Sequence, residues 1–290
     1  MGKVIAIANQ KGGTSKTTST VNIGAGLARE GKRVLLIDAD PQGSLTASLG
    51  YVEPDELEDT LTTILARIIN EDWEDDCDGD SGETTNRFFG MLPHEEGMTL
   101  LPANIELSGL EVSLVNVMSR ETILRRYIES IRKEYDYILI DCTPSLGMLT
   151  LNALTAADSV LIPVQAEYLP VKGLQQLLET ITRVKRRLNS KLEIEGILMA
   201  MTNSRTVYGR EFASFLRRNY GGKVTIFKSD IPHSVRASEA SSLGISIFEH
   251  DPHGKVAGAY RSLVQEILGN DADESKIYHF QREKGVRAHG

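Results

Sequence analysis

Short apolar runs alternate along this chain with longer stretches whose apolar residues recur at helical spacing. Lys3–Ala8 is short, apolar and β-branched, which predicts a buried strand. Lys16–Glu30 has near-helical spacing and is followed by Gly31, a residue that favours the end of a helix. Arg33–Ile37 predicts a second buried strand. This order predicts a βαβ unit, in which a right-handed crossover joins two parallel strands.

The same alternation continues to residue 268. Further strands are predicted at Met98–Pro102, Tyr137–Ile140, Ser159–Val164, Ile194–Met201 and Val224–Phe227. Further helices are predicted at Thr60–Ile69, Ser119–Glu134, Leu174–Leu188 and Val256–Leu268. The fold class that follows is α/β, a doubly wound and mostly parallel sheet flanked by helices on both faces. We expect a single domain over residues 1–268 and a polar, flexible tail over 269–290.

Composition places the chain among ordinary globular proteins. Its 290 residues are 41% apolar and 25% charged, which argues against a mainly disordered chain. The two cysteines, Cys77 and Cys142, are too few for a disulfide framework or a four-cysteine metal site. We therefore expect a reducing, cytoplasmic setting. No apolar run approaches the roughly 18 residues that a membrane span needs, so no membrane-spanning helix is predicted. We also expect no membrane partner, because residues 266–290 show no apolar stripe of the kind that an amphipathic membrane-surface helix needs.

Charge is distributed unevenly. The net charge of −8, from 32 basic and 40 acidic residues, argues by itself against a nucleic-acid-binding protein. Between Glu53 and Glu96, however, 15 acidic residues face only two basic ones, and between Arg183 and Arg236, 12 basic residues face four acidic ones. Because binding responds to the local field, the second region keeps a nucleic-acid partner possible.

The loop between the first strand and the first helix has the composition of a phosphate-binding site. It reads Lys11-Gly12-Gly13-Thr14-Ser15-Lys16-Thr17-Thr18, and all eight residues are expected to line a nucleotide. Backbone N–H groups of such a loop can cradle phosphate oxygens, helped by the positive end of the following helix. Lys16 can reach the β and γ phosphates, and the Thr17 hydroxyl can bind Mg²⁺. The strict P-loop pattern fails because its two glycine positions hold Gln10 and Ser15, so an ordinary turn is the alternative.

Polar side chains follow several of the predicted parallel strands. Asp38 and Asp40 come after the second strand, Asp141 after a later one, and Asn9 and Gln165 at two further strand ends. Doubly wound sheets bind ligands at the carboxyl ends of their strands. A carboxylate beside phosphates needs a compensating cation, and Asp141 can hold Mg²⁺ through water. These residues therefore predict one site at one edge of the sheet.

The phosphate loop resembles the deviant Walker A motif of the ParA/MinD ATPases. The resemblance spans Lys3–Leu268 and includes the pattern D-x-D-P-Q that begins at Asp38, whereas Ser15 stands where the family usually has glycine. It implies ATP and Mg²⁺ as cofactors. It also implies that Lys11 crosses a dimer interface to the nucleotide of the partner subunit.

Roles for the acidic residues follow from the same resemblance. Lys11, Lys16 and Asp40 are expected to be the catalytic residues, with Asp40 positioning the attacking water. Thr17, Asp38 and Asp141 are expected around the magnesium ion.

Two later segments, residues 199–210 and 230–242, resemble further motifs of the family. The resemblance implies that Asn203 and Pro232 lie near the adenine. It implies that Arg205 and Arg236 bind DNA without reading its sequence, and His233 stands where the family has arginine. Neighbouring cations could widen this basic patch or simply be solvated helix charges; they are Arg183, Lys185, Arg186, Arg187, Arg217 and Arg218.

The function that this resemblance implies is that of a ParA/Soj-type partition ATPase. Such a protein dimerises on ATP, binds double-stranded DNA non-specifically and is stimulated by a ParB-like centromere-binding partner. It is cytoplasmic and nucleoid-associated, and its intrinsic turnover is slow because no arginine finger is evident.

Two other functions remain as alternatives: a MinD-like membrane-associated ATPase, and a metabolic enzyme on the same scaffold, such as a ligase of the dethiobiotin-synthetase type.

The acidic region 53–97 is expected to be an insertion, either a plain surface loop or a docking site for a partner.

Overall fold

The computed structural model describes residues 1–70, 87–165, 170–202 and 207–269. Its strands are β1 (Lys3–Ile7), β2 (Val34–Ala39), β3 (Leu92–Pro93), β4 (Met98–Leu101), β5 (Tyr137–Cys142), β6 (Ser159–Gln165) and β7 (Glu193–Ala200). They form one seven-stranded sheet in the order β3-β4-β2-β5-β1-β6-β7. Every neighbouring pair is parallel except β3 and β4, which are antiparallel. The predicted, mostly parallel sheet is therefore confirmed.

Helices connect these strands. They are α1 (Lys16–Arg29), α2 (Ser44–Ser48), α3 (Leu61–Ile69), α4 (Glu106–Leu114), α5 (Ile123–Ile131), α6 (Met148–Ala156), α7 (Pro170–Arg187), α8 (Val207–Tyr220), α9 (Val235–Ser242), α10 (Ile247–His250) and α11 (255–269). Short 3-10 turns lie at Pro54–Glu56, Arg120–Thr122 and Arg132–Glu134. The predicted helix Ser119–Glu134 is thus shorter than expected, because Ser119 adopts a left-handed conformation with φ 53° and 3-10 turns flank α5.

Two hydrophobic cores cover the two faces of the sheet. One face packs against side chains of α3 to α8, with Leu65, Tyr127 and Leu154 fully or almost fully buried. The other packs against α1, α10 and α11, with Ile23 and Tyr260 in its interior. Strands buried on both faces need apolar residues at nearly every position, which explains the continuous apolar runs in the sequence. The doubly wound fold class is confirmed.

One predicted strand is wrong. Val224–Phe227 is not a strand of the sheet, and its pairing with the sheet is limited to the isolated parallel bridge between Ile197 and Ile226. The segment begins a few residues after the end of α8. Its two backbone hydrogen bonds to β7 both involve Ile197: the Ile197 N–H donates to the Thr225 carbonyl at 2.9 Å, and the Ile197 carbonyl accepts from Phe227 N–H at 3.0 Å. The apolar side chains of the segment pack over β7 instead, where the Phe227 ring covers the face of Gly196.

The acidic region 53–97 is not a plain surface loop in its described part. α3 lies inside this region and buries Leu61, Ile64, Leu65 and Ile68 in the core. The Thr60 hydroxyl accepts a hydrogen bond from Thr62 N–H at 3.2 Å, which caps the start of the helix. The most acidic stretch, and the tail from residue 270, lie outside the described residues.

Candidate nucleotide-binding site

The loop from Ala8 to Ser15 joins the carboxyl end of β1 to α1. Gly13 and Ser15 both have left-handed backbones, with φ 72° and 64°. Glycine adopts this conformation freely, whereas for serine it is strained by about 1 kcal/mol. A Cβ added at Gly12 or Gly13 would meet no atom within 4 Å, so this side of the loop borders open space. The loop is therefore an open cradle in front of a helix N-terminus, a place that favours anions.

Side chains of the loop fix its shape. The Asn9 amide donates to the Pro163 carbonyl of β6 at 2.5 Å, and its oxygen accepts from Lys11 N–H at 3.1 Å. The Thr14 hydroxyl donates to the Lys11 carbonyl at 3.2 Å. Asn9 was expected only at the edge of the sheet; the structure shows that it ties the loop to a neighbouring strand.

Lys16 is the first residue of α1 and is only 7% exposed. Its Nζ lies 3.4 Å from the Lys11 carbonyl oxygen, so the side chain folds back over the loop. A buried ammonium group is costly unless anions approach it. This position suits a cation that faces the phosphates of a nucleotide. Thr18, in the same first turn of α1, accepts a hydrogen bond at its carbonyl from the Asn22 amide at 2.7 Å.

Asp38 and Asp141 lie opposite each other in the register of β2 and β5. The Thr17 hydroxyl donates to Asp141 Oδ2 at 2.6 Å, and the Thr20 hydroxyl lies 3.4 Å from its Oδ1. Three of the residues predicted around magnesium, Thr17, Asp38 and Asp141, are thus brought to one edge of the sheet.

Burial governs the protonation of both carboxyls. It raises the pKa of Asp38 to about 7, against the lowering effect of hydrogen bonds from Thr46 and Asp40. Burial, followed by the nearby charge of Asp38, raises the pKa of Asp141 to about 8, although the Thr17 hydrogen bond and the Lys16 charge act in the lowering direction. Two buried carboxylates that repel each other are stabilised when a cation lies beside them.

Hard oxygen ligands of this kind fit Mg²⁺. Among the described residues, no group of three or more His, Cys, Asp or Glu side chains is arranged to hold a metal. Mg²⁺ does not need such a cage, since it is commonly held by one or two carboxylates, a hydroxyl, water and substrate phosphates. The Thr17 hydroxyl and the two carboxylates would hold it here.

Asp40 lies in the loop after β2 and is partly exposed. Its Oδ1 accepts a hydrogen bond from Gln42 N–H at 3.1 Å, and its own N–H donates to Asp38 Oδ1 at 3.1 Å. Its charge is close enough to raise the pKa of Asp141. Asp40 therefore stands at the open side of the acidic pair, where a water molecule can approach it.

The predicted adenine-side residues are only partly described. Pro232 lies beside the carboxyl end of β7, paired with Thr202 by a parallel bridge. Asn203 and Arg205 lie outside the described residues. Arg236 is exposed on α9, where Ser234 caps the helix by accepting from Arg236 N–H at 3.2 Å.

Sequence reasoning missed the residues that support the acidic pair. Thr46 N–H and its hydroxyl donate to Asp38 Oδ2 at 2.9 and 2.8 Å. Thr20 was not singled out either, although its spacing of one helical turn after Lys16 could have indicated it. Cys142 is fully buried and burial raises the pKa of its thiol, which agrees with the expectation that it is no nucleophile.

Fold and site together define a P-loop nucleoside triphosphatase. Residues 2–194 match the family model described as "AAA domain". The chain is 45% identical over 271 residues to the sporulation initiation inhibitor protein Soj of Bacillus subtilis, an alignment that covers 93% of this chain and 100% of that protein. It is 39% identical over 273 residues to the chromosome partitioning protein ParA of Caulobacter vibrioides, covering 93% and 96% of the two chains. The chain belongs to this family of ParA/Soj-type ATPases, and the resemblance predicted from its motifs is confirmed.

Solved structures agree with this assignment. Cobyrinic acid a,c-diamide synthase from Mycobacterium smegmatis, with bound ATP analog and magnesium, is 36% identical with a TM-score of 0.77 and covers 92% of this chain and 94% of its own. The septum site-determining protein MinD of Pyrococcus horikoshii, complexed with Mg-ADP, is 22% identical with a TM-score of 0.68, covering 93% and 99%. The second likeness shows a shared fold.

Proposed function

We propose that this chain is a DNA-partition ATPase whose affinity for DNA is controlled by the nucleotide that it binds. It binds ATP with Mg²⁺, pairs with a second copy, and binds double-stranded DNA without sequence preference. A ParB-like centromere-binding partner stimulates hydrolysis and thereby releases the DNA. Full-length similarity to Soj is the observation that carries the proposal. The protein would act in the cytoplasm, on the nucleoid.

Nucleotide binding rests on the residues at the carboxyl edge of the sheet. Backbone N–H groups of the open cradle and the buried Lys16 would hold the phosphates, because both present positive charge toward the same space. Thr17, Asp38 and Asp141 would hold Mg²⁺, which supplies positive charge against the charge that develops on the phosphoryl oxygens.

Hydrolysis requires a water molecule in line with the terminal phosphate. Asp40 fits the role of positioning this water, because its carboxylate is partly exposed at the edge where the acidic pair lies. Lys11, at the start of the cradle, would reach the nucleotide of the partner subunit. Turnover is slow when the negative charge on the transferred phosphoryl group is incompletely stabilised, so a partner that completes this stabilisation can accelerate hydrolysis.

DNA binding would use the basic region around α8 and α9. Arg236 on α9 and Arg217 and Arg218 on α8 are exposed in the structure. Contacts from arginine to phosphates give affinity without base readout and make binding strongly dependent on salt. Arg205, which lies outside the described residues, is proposed as a further DNA contact from the sequence resemblance alone.

A DNA-retention assay with ATP, ADP and no nucleotide, across a salt series, tests this proposal. We expect retention of arbitrary duplex only with ATP and Mg²⁺, together with a shift of the protein to a dimer on a sizing column. Lys16→Ala is the control, since loss of the cation that faces the phosphates removes both effects. Equal retention without nucleotide, or a monomer under all conditions, would contradict the proposal.

A second candidate function is a small-molecule ligase that uses the same nucleotide site. It is favoured by the 36% identity to the cobyrinic acid a,c-diamide synthase, which covers 92% of this chain. Rapid ATP turnover with a small acid and an amine donor, in the absence of DNA and of any partner, would support this alternative.

A membrane-associated function of the MinD type is supported by likeness of fold alone. None of the helices that the structure describes is both long and apolar enough to cross a bilayer. The MinD structure is similar in fold at 22% identity, a level at which only the fold is shared.

A further inference from the structure

Thr46 is a fully buried residue in the middle of the short helix α2. Its N–H and its hydroxyl both contact Asp38 Oδ2, at 2.9 and 2.8 Å. The same hydroxyl oxygen accepts a hydrogen bond from Ala103 N–H at 3.1 Å. One side chain thus joins β2, α2 and the segment that follows β4.

The direction of these hydrogen bonds is fixed by their partners. Ala103 N–H can only donate, so it uses a lone pair of the Thr46 oxygen, and the single hydroxyl proton is left to point at Asp38. Asp38 Oδ2 then receives two donors, while Oδ1 receives one from Asp40 N–H at 3.1 Å. Three donors on one carboxylate hold it in a single orientation and favour its charged form.

We propose that Thr46 is a positioning residue, which fixes the Asp38 carboxylate beside the Mg²⁺ site and anchors the loop that carries Asp40. This inference rests on the proposed function, because it assigns a task within the same nucleotide site. α2 begins at Ser44, four residues after Asp40, and Gly43 N–H donates to the Asp40 carbonyl at 2.9 Å. Holding α2 against Asp38 therefore also holds the short loop between them.

A purely structural role is the alternative to positioning. Thr46 is 0% exposed, and a valine of nearly the same shape would fill its space without the cost of burying a hydroxyl. The two roles predict different results. A structural residue changes only the free energy of unfolding, whereas a residue that orients a metal ligand changes the requirement for the metal. Supporting hydrogen bonds of this kind typically affect metal affinity or activity by about 10- to 100-fold.

The test compares Thr46→Val with Thr46→Ser in the full chain. The affinity for a fluorescent ATP analogue is measured with EDTA and along a Mg²⁺ titration, and steady-state hydrolysis is measured along the same titration. We expect Thr46→Val to raise the Mg²⁺ concentration for half-maximal binding about tenfold, to leave the metal-free affinity unchanged, and to lower kcat. Thr46→Ser keeps the donor and should restore wild-type values.

Thr155→Val is the matched control. Thr155 is also 0% exposed, and its hydroxyl donates to the Leu151 carbonyl of α6 at 2.7 Å, without contact to the acidic pair. We expect this variant to change the unfolding midpoint and to leave the Mg²⁺ requirement as in the wild type. If Thr46→Val behaves in the same way as Thr155→Val, the proposal is wrong.

An Asp38→Asn background separates action through Asp38 from action by another route. Because Thr46 acts on the orientation of this carboxylate, Thr46→Val should add nothing to the Mg²⁺ requirement once the carboxylate is gone. A further rise of equal size would overturn the proposal. Should Thr46→Val fail to fold, Thr46→Cys replaces it, with a raised Mg²⁺ requirement expected and a wild-type value overturning the proposal. If the wild-type protein instead binds the ATP analogue with the same affinity in EDTA and in Mg²⁺, the proposed function is contradicted.

Discussion

At the scale of single residues, two carboxyl groups dominate the chemistry of this chain. Asp38 and Asp141 lie on neighbouring strands and are 0% and 1% exposed. Their burial is unfavourable for negative charge, and each raises the cost of ionising the other. A cation beside such a pair would stabilise it, and magnesium bound together with the nucleotide would supply that cation.

The stability of the metal-free protein should fall as pH rises from about 4 to about 8. In the folded state the pKa of Asp38 is about 7 and that of Asp141 about 8, whereas an unfolded aspartate has a pKa of about 3.9. The folded state therefore binds more protons in this window, so the free energy of unfolding decreases with pH. Urea unfolding at about pH 6 and pH 8, with EDTA or with Mg²⁺ and ATP, measures the effect.

The stabilising effect of Mg²⁺ and ATP should then be larger at about pH 8 than at about pH 6, since a larger fraction of both carboxyls is ionised at the higher pH. Asp141→Asn is the control, because an amide cannot ionise and the pH dependence should become flatter. A metal-free protein that gains stability between about pH 6 and pH 8 would contradict this account.

Sequence alone could identify the candidate nucleotide-binding residues but not the residues that hold them in place. Lys16, Asp38 and Asp141 stand at predictable positions, a helix start and two strand ends. Thr46 stands eight residues after Asp38, on a different element, and no local sequence pattern predicts that the two side chains meet. Tertiary contacts of this kind arise only when β2, α2 and the segment after β4 pack together.

At the scale of elements, the packing of Val224–Phe227 on β7 can be tested by mutation. This packing bears on the site because Pro232 follows the segment shortly afterwards in the chain. A Cβ on Gly196 would lie 2.6 Å from a ring carbon of Phe227, which is itself 1% exposed. We expect Gly196→Ala to lower the free energy of unfolding by about 1–3 kcal/mol, because the ring must move in a close-packed core. Urea unfolding checks this value.

Gly258→Ala provides the comparison for that variant. Gly258 lies in α11, where an added Cβ would meet no atom within 4 Å, and alanine in a helix is favoured over glycine by about 0.5–1 kcal/mol. The two substitutions should therefore act in opposite directions. A neutral Gly196→Ala would mean that the Phe227 ring does not pack closely on β7.

Elements with a clear apolar period were predictable, and those without one were not. The periodic helices near residues 16–30 and 60–69 were predicted close to their observed bounds. α6 is apolar on almost every side and α9 is mainly small and polar, so neither has the one-sided pattern of a surface helix. Val224–Phe227 has strand-like composition but meets the sheet at one bridge, because composition does not report pairing.

At the scale of the whole molecule, the uneven distribution of acidic and basic residues should govern binding to DNA. We expect Arg236→Glu to weaken retention of arbitrary duplex in the presence of ATP and to reduce the slope of the salt dependence by about one unit, since one phosphate contact is lost. Dimer formation on a sizing column should be unchanged. Retention across a salt series measures the effect.

Lys133→Glu is the control for charge alone. Lys133 is exposed in the 3-10 turn just before β5, at the amino end of the strand and therefore at the edge opposite the nucleotide site. The same change of charge there should leave DNA retention as in the wild type. An equal loss in both variants would mean that net charge, and not a surface at α9, controls binding.

The position of β1 has a consequence for how the protein is made. β1 is synthesised before the other six strands of this sheet, yet it lies between β5 and β6 and pairs with residues 137–141 and 159–161. At a synthesis rate of about 5–20 residues per second, it waits several seconds for either neighbour. During that time its apolar edges are open to wrong partners, and the phosphate loop that follows it has no sheet to hold it. The earliest strand of this sheet is therefore paired late, and a chain that stops before β5 would lack Asp141, one of the two buried carboxyls of the site.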